Sequence, residues 1–170
     1  KTSKKQFKEL LDAIEKLKDT NIIFTKSNSD TDGRIINKMI DDYVFSNTHK
    51  SIAFTSLGQS RYMSALKHVD AVVGNSSSGL LEAPSFKIGT VNIGDRQKGR
   101  IKANSVIDCL ANKRDIKKAI DKIYSKKFQT LLKNVKNPYS GGKTSKKIVN
   151  ILKKISVPLS VKKKFYDIKF

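Results

Sequence analysis

The chain has 170 residues, of which 38% are hydrophobic; this is enough for one domain with a core and excludes a chain that is disordered throughout. It contains no run of roughly 20 apolar residues that would span a membrane, no apolar secretion signal at its start, and a single cysteine, Cys109, so we expect a cytoplasmic protein that does not contact a membrane. The formal net charge is +20, but 30 of the 35 basic residues are lysines, whereas nucleic-acid recognition tends to use arginine.

Helical and strand-like patterns alternate along the first hundred residues. Apolar residues spaced by three and four predict a helix from about Gln6 to Lys18. There follow a strand over 21–25, a loop over 27–33, a helix through 35–44, a strand over 52–55, a helix over 60–67, a strand over 70–74, a helix over 79–83 that ends or bends at Pro84, and a strand over 89–93. This alternation predicts an α/β fold with a parallel sheet and helices on both of its faces.

The order of elements changes after Asn104. We predict an edge strand over 105–109, helices near 114–124 and 126–135, a loop over 137–142 and a last helix over 144–155. Residues 1–156 are expected to form one domain, and residues 157–170 a basic and aromatic tail.

A turn of small residues follows the predicted strand over 70–74. The segment Asn75-Ser-Ser-Ser-Gly79 leads directly into a helical pattern, so its backbone N–H groups and hydroxyls are suited to holding a phosphate. The same serines are also common helix caps, and the segment by itself does not separate the two interpretations.

Two further features near this turn would complete a nucleotide site. Glu82 follows Ser78 by one helical turn and is placed to accept hydrogen bonds from a ribose diol, although a surface glutamate at a helix start would show the same spacing. The loop from Gly94 to Arg100 carries Arg96 and would supply a cation, or it is a solvated turn. No HxxxH or CxxC spacing predicts a metal site.

Two long motifs carry a resemblance to a known family. The residues Val-Gly-Asn-Ser-Ser-Ser-Gly-Leu-Leu-Glu-Ala-Pro-Ser-Phe at 73–86 and Val-Asn-Ile-Gly-Asp-Arg-Gln-Lys-Gly-Arg at 91–100 resemble the UDP-N-acetylglucosamine 2-epimerase family. The second motif is most similar to the hydrolysing branch, which releases UDP and a free 2-epimerised sugar for sialic-acid or legionaminic-acid synthesis. The similarity extends over about residues 5–155.

The resemblance implies a Rossmann-like fold equivalent to the C-terminal half of a glycosyltransferase-B arrangement. Family members have a second such domain, which contributes most of the acid and base residues. We therefore expect this chain to be the UDP-binding part of a larger enzyme and to be inactive by itself, because the family's acid and base residues lie outside it. The resemblance further implies a UDP-sugar substrate, a homo-oligomeric parent, no cofactor or metal, and no nucleic-acid partner.

The resemblance also assigns roles to individual residues. Ser76 and Ser77 match serines that contact the diphosphate, and Glu82 matches the acid that holds the ribose hydroxyls. Arg96 matches a phosphate-side or nucleotide-side arginine, and Tyr62 falls where the family places an aromatic ring against uracil, although a helix residue packed on the core would fit the same position. The predicted UDP-binding residues are Ser76, Ser77, Glu82, Arg96, Asn28, Tyr62, Asn75 and Gly79.

Two other functions remain open at this stage. A donor-binding half of a glycosyltransferase with the same architecture would contain a similar nucleotide site. A nucleic-acid-binding module would use the lysine-rich end of the chain, since residues 113–170 contain 18 basic and 3 acidic side chains. The small number of arginines and aromatic residues among those lysines argues against it.

Overall fold

The computed structural model describes residues 2–27 and 31–156. These residues fall into two compact units, with the division between Ser140 and Gly141. Among the described residues, no helix is both long enough and apolar enough to cross a lipid bilayer.

The first unit contains five parallel strands and six α-helices among its described residues. The strands are β1 (Ile22–Thr25), β2 (Ser51–Phe54), β3 (Ala71–Gly74), β4 (Gly89–Ile93) and β5 (Val106–Cys109). The helices are α1 (Ser3–Ile14), α2 (Thr31–Ser46), α3 (Gly58–Ala65), α4 (Ser78–Leu81), α5 (Lys113–Ile123) and α6 (Lys126–Lys133). A 3₁₀ turn, Ala83–Phe86, follows α4 directly. The second unit contains helix α7 (Thr144–Leu152).

The strands form two sheets. β1 pairs with β2, while β3, β4 and β5 form a three-stranded sheet in that order, and every pairing is parallel. The predicted parallel α/β architecture is confirmed, and β5 lies at a sheet edge as predicted. The alternation of elements suggested a single sheet. The structure instead has two sheets, one formed by β1 and β2 and the other by β3, β4 and β5.

One hydrophobic core joins the two sheets. Phe24 of β1 and Val91 of β4 belong to the same buried cluster as Ile14 of α1, Ile40 of α2 and Ile116 of α5. Because each strand has only four or five residues, burial of this shared core, rather than strand pairing alone, holds the sheets together.

The predicted helix after β3 is shorter than expected. The sequence indicated a helix over 79–83, but α4 makes one turn over Ser78–Leu81 and then tightens into the 3₁₀ turn, which has Pro84 near its start and Lys87 in the left-handed conformation at its end. Pro84 lacks the N–H that an α-helix would need at that position, so the α-helical hydrogen bonds stop before it.

Candidate nucleotide site

The turn of small residues is open at the carboxyl end of β3. We call residues 74–79 the serine turn. Gly74 ends the strand at φ +152°, a conformation that favours glycine, and Asn75 and Ser76 are exposed. Within the described part of the chain, the backbone N–H groups of Ser76 and Ser77 and the Ser77 hydroxyl form no hydrogen bond. Two free N–H groups and a free hydroxyl on an open turn can hold an anion.

Backbone hydrogen bonds between residues close in sequence fix the shape of the serine turn. The Ser76 carbonyl accepts from Gly79 at 3.3 Å, and the Ser77 carbonyl accepts from Leu80 and Leu81 at 2.9 Å. The Ser76 hydroxyl accepts from the Ser78 N–H at 3.3 Å, so Ser76 partly caps the turn, as the alternative interpretation proposed. Ser77, at the N-cap position of α4, makes no capping hydrogen bond with its side chain.

Gly79 lets α4 lie directly on strand β4. A Cβ atom at this position would be 2.5 Å from the Thr90 methyl carbon. The Thr90 hydroxyl donates to the Gly79 carbonyl at 2.9 Å, and both residues are buried. Gly79 therefore shapes the site by close packing rather than by exposing its own N–H, which is used inside the turn.

Glu82, Tyr62 and Ser78 meet beside the serine turn. The Tyr62 and Ser78 hydroxyls are hydrogen-bonded to each other. Burial raises the pKa of Tyr62, and the charge of nearby Glu82 raises it further, against the opposing effect of the Ser78 hydrogen bond. Within the described residues, the Glu82 Oε2 atom is buried and has no hydrogen-bond partner. The cluster therefore holds a protonated phenol and a carboxylate oxygen that can accept a hydrogen bond.

The loop after β4 lies against the serine turn. We call residues 94–100 the arginine turn. Gln97 is 3% exposed, and its Nε2 atom donates to the Asn75 carbonyl at 2.8 Å. Arg96 is exposed, and its guanidinium forms no ion pair with any described residue. A cation and the free N–H groups are thus held at the ends of neighbouring strands, where ligands collect in parallel sheets.

Most of the predicted site residues come together at this edge of the sheet. Seven of the eight belong to the serine turn, the arginine turn or the Tyr62 cluster, and their part in UDP binding stays a prediction. Asn28 lies outside the described residues. The one-turn length of α4 also limits the helix-dipole contribution that the sequence suggested, because few peptide units are aligned.

The sequence patterns did not predict three of the contacts at the site. They are the Tyr62–Ser78 hydrogen bond, the Gln97–Asn75 hydrogen bond and the anchoring of α4 by Asn137, whose Nδ2 donates to the Leu81 carbonyl at 2.7 Å. Asn137 also borders a hollow of about 510 Å³, which none of the predicted UDP-binding residues lines. In the sequence, the Asn137-Pro pair predicts a turn, but it does not indicate that the Asn137 side chain contacts α4.

Comparison with known proteins establishes the family of the chain. The model of the family described as UDP-N-acetylglucosamine 2-epimerase matches residues 1–153. The chain belongs to this family. As a member of the UDP-N-acetylglucosamine 2-epimerase family, it is 43% identical over 129 residues to the GDP/UDP-N,N'-diacetylbacillosamine 2-epimerase (hydrolyzing) of Campylobacter jejuni, covering 76% of this chain and 33% of that protein. It is 38% identical over 165 residues to the polysialic acid biosynthesis protein P7 of Escherichia coli, covering 96% of this chain and 42% of that protein.

A solved structure of the same family shares the fold. The UDP-GlcNAc 2-epimerase of Methanocaldococcus jannaschii, in complex with UDP-GlcNAc and UDP, superposes with a TM-score of 0.71 at 24% identity, over 89% of this chain and 41% of that one. This epimerase-family chain therefore spans only 33% to 42% of the length of these three relatives. The Rossmann-like fold is confirmed, and neither the glycosyltransferase nor the nucleic-acid alternative is favoured.

Proposed function

We propose that this chain is the UDP-binding part of a hydrolysing UDP-sugar 2-epimerase. The observation that carries the proposal is the open serine turn, whose free Ser76 and Ser77 N–H groups face no partner within the described residues. Relatives at 43% and 33% identity are both named as hydrolyzing 2-epimerases, which supports the hydrolysing branch.

In this proposal, each group takes one part of the nucleotide. The serine turn binds the diphosphate through N–H groups and the Ser77 hydroxyl, and Arg96 neutralises its charge. The Glu82 carboxylate accepts hydrogen bonds from the ribose hydroxyls. Tyr62 borders the ribose and base, with Asn75 and Gly79 shaping the turn.

The same groups would assist the departure of UDP. A base removes the proton at sugar C2, the C1–O bond breaks to leave a glycal, and water then adds with inversion at C2. The electron pair of the C1–O bond goes to the diphosphate oxygen, so negative charge develops beside the serine turn and Arg96. Fixed N–H donors and a cation stabilise that charge without reorganising. The acid and base of the reaction are expected in a part of the enzyme other than this chain.

The substrate class is a UDP-linked 2-acetamido sugar. The names of the relatives favour UDP-N,N'-diacetylbacillosamine and UDP-N-acetylglucosamine as its members. The name of the Escherichia coli relative supports a place in the synthesis of sialic-acid-type sugars. We further propose that the full-length enzyme works in the cytoplasm as a homo-oligomer.

The test compares the binding of two ligands to the wild-type chain and to one variant. Wild-type chain and Glu82→Ala are titrated with UDP and with 2'-deoxy-UDP, by calorimetry or by the shift in melting temperature. Wild type should bind UDP in the millimolar range or better and prefer it over the deoxy ligand. Glu82→Ala should lose about ten-fold to a hundred-fold in UDP affinity, since a hydrogen bond to a charged group contributes roughly 1.5–3 kcal/mol.

The ligand pair separates a ribose contact from general damage. In Glu82→Ala the preference for UDP over the deoxy ligand should shrink, whereas Asp42→Ala, which removes an exposed carboxylate paired with Lys38, should leave it unchanged. No binding of UDP by wild type at millimolar concentration would overturn the proposed function. An unchanged preference in Glu82→Ala would remove Glu82 from the ribose site.

A further inference from the structure

Gln97 is a buried polar residue that the family resemblance did not assign to the site. It lies in the arginine turn directly after Arg96, and only 3% of it is exposed. Its Nε2 atom donates to the Asn75 carbonyl at 2.8 Å. Among the described residues, this is the only side-chain hydrogen bond that joins the arginine turn to the serine turn.

The other end of the same amide has no partner. Within the described part of the chain, the Gln97 Oε1 atom is buried and accepts no hydrogen bond. A buried acceptor without a donor lowers stability, and an apolar side chain of similar length would avoid that loss. The Asn75 carbonyl that Nε2 holds belongs to an exposed residue of the serine turn. Stability alone therefore does not account for an amide at this position.

The backbone hydrogen bonds of the arginine turn indicate what the side-chain amide of Gln97 contributes to the position of this turn. The turn is closed locally by hydrogen bonds from Lys98 to Asp95 at 2.8 Å and from Arg100 to Gln97 at 3.3 Å. These bonds set the internal shape of the turn, but they do not set its distance from the serine turn. Because Gln97 is adjacent to Arg96, fixing Gln97 on Asn75 also fixes the starting point of the Arg96 side chain.

We propose that Gln97 is a positioning residue that holds Arg96 at the distance from the serine turn that a diphosphate requires. This inference rests on the proposed function, since it assumes that the two turns grip the same nucleotide. Gln97 acts through Arg96 and the serine turn and need not touch the ligand. The arrangement exchanges some stability for a preformed anion site, as functional sites commonly do.

The test is a double-mutant cycle with UDP. Affinities are measured for wild type, Gln97→Met, Arg96→Ala and the double variant, together with the melting temperature of each protein without ligand. Gln97→Met should melt at or above the wild-type temperature and yet bind UDP about five-fold or more weakly. In the Gln97→Met background, Arg96→Ala should weaken binding by less than about two-fold, because the arginine is no longer held in place.

Two controls distinguish positioning from damage. Gln129→Met removes a glutamine on α6 whose Nε2 also donates to a backbone carbonyl, that of Ile123 at 2.8 Å, and it should leave UDP affinity unchanged. Gln97→Met should also retain the preference for UDP over 2'-deoxy-UDP, since Glu82 is untouched. If wild type does not bind UDP, the proposed function and this inference both fail. If wild type binds UDP and Gln97→Met binds it equally well, or if the two substitutions are additive, only the inference fails.

Discussion

Gly79 shows how one missing side chain shapes the site. Helix α4 approaches strand β4 so closely that a Cβ atom on Gly79 would be 2.5 Å from the Thr90 methyl carbon. No real Cβ contact is that short, and both residues are buried, so an added methyl group would move the helix or the strand. The position of the serine turn depends on this close packing.

Gly79→Ala should therefore destabilise the chain by about 1–3 kcal/mol, the range for an overpacked core, and should weaken UDP binding. Thr90→Ser removes the clashing methyl group and keeps the hydroxyl that donates to the Gly79 carbonyl. The double variant should be more stable than the sum of the two single effects predicts. Denaturant unfolding of the four proteins measures this, and strictly additive effects would show that the contact is relieved in another way.

Asp108 connects the end of β5 to the segment that leads out of the arginine turn. Its carboxylate accepts from Lys102 at 2.7 Å and 2.8 Å and from Asn92 at 2.7 Å. Partial burial favours the neutral acid, but the hydrogen bonds from Lys102 and Asn92 and the charge of Lys102 outweigh it and lower the pKa of Asp108. The charged form is thus the one that the folded chain favours.

A lowered pKa in the folded state makes stability depend on pH in one direction. The stabilisation from Asp108 is complete above the pKa of the unfolded chain, about 3.9, and is lost as pH falls through the lower folded value. Asp108→Asn should reduce the free energy of unfolding near pH 7, and the difference from wild type should shrink below about pH 4. Lys102→Met should reduce the same pH dependence. A difference that stays constant from neutral to acid pH would contradict this account.

At the scale of elements, the start of α5 is tied to α1 by a carboxylate. Glu9 of α1 accepts from the Lys113 backbone N–H at 2.8 Å. Asn112 caps the same helix by accepting from the Asp115 N–H at 2.9 Å, and its own amide donates to the Asp115 carboxylate. Two otherwise unpaired N–H groups of α5 are satisfied in this way, one of them by a residue 104 positions away.

Glu9→Ala should lower the free energy of unfolding by about 1 kcal/mol, because a helix N–H loses its acceptor and the positive helix end loses a nearby negative charge. Asp12→Ala is the matched control on the same helix, since its carboxylate pairs with Lys8 on the exposed surface. That substitution should change stability by less than about 0.5 kcal/mol. Equal losses in urea unfolding would mean that the Glu9 contact does not stabilise α5.

At the scale of the whole molecule, one core supports two sheets and presents the site at the edge of one of them. Val91, in the strand β4 that leads into the arginine turn, and Ile116 of α5 are both fully buried in that core. Several of the many lysines form exposed pairs one helical turn from an aspartate, such as Lys38–Asp42 and Lys117–Asp121. Pairs of this kind contribute little to stability, in agreement with a solvated lysine surface.

Local pattern was sufficient for the order and type of most elements. β4 forms over the predicted residues, Gly89–Ile93, and α2, α5 and α6 form where their apolar spacing placed them. The order of these elements also puts the serine turn and the arginine turn at the carboxyl ends of adjacent strands, since β3 and β4 pair in parallel. Hydrophobic periodicity and turn residues are local properties, so a single sequence expresses them directly.

Tertiary structure decided which side chains meet. The amide of Gln97 contacts a carbonyl 22 residues away, the Tyr62 hydroxyl contacts the hydroxyl of a serine 16 residues away, and the Glu9 carboxylate contacts the start of α5. It also divided the strands between two sheets. These outcomes depend on how side chains of different elements share the space around one core, and neither the spacing nor the type of residues within a segment contains that information.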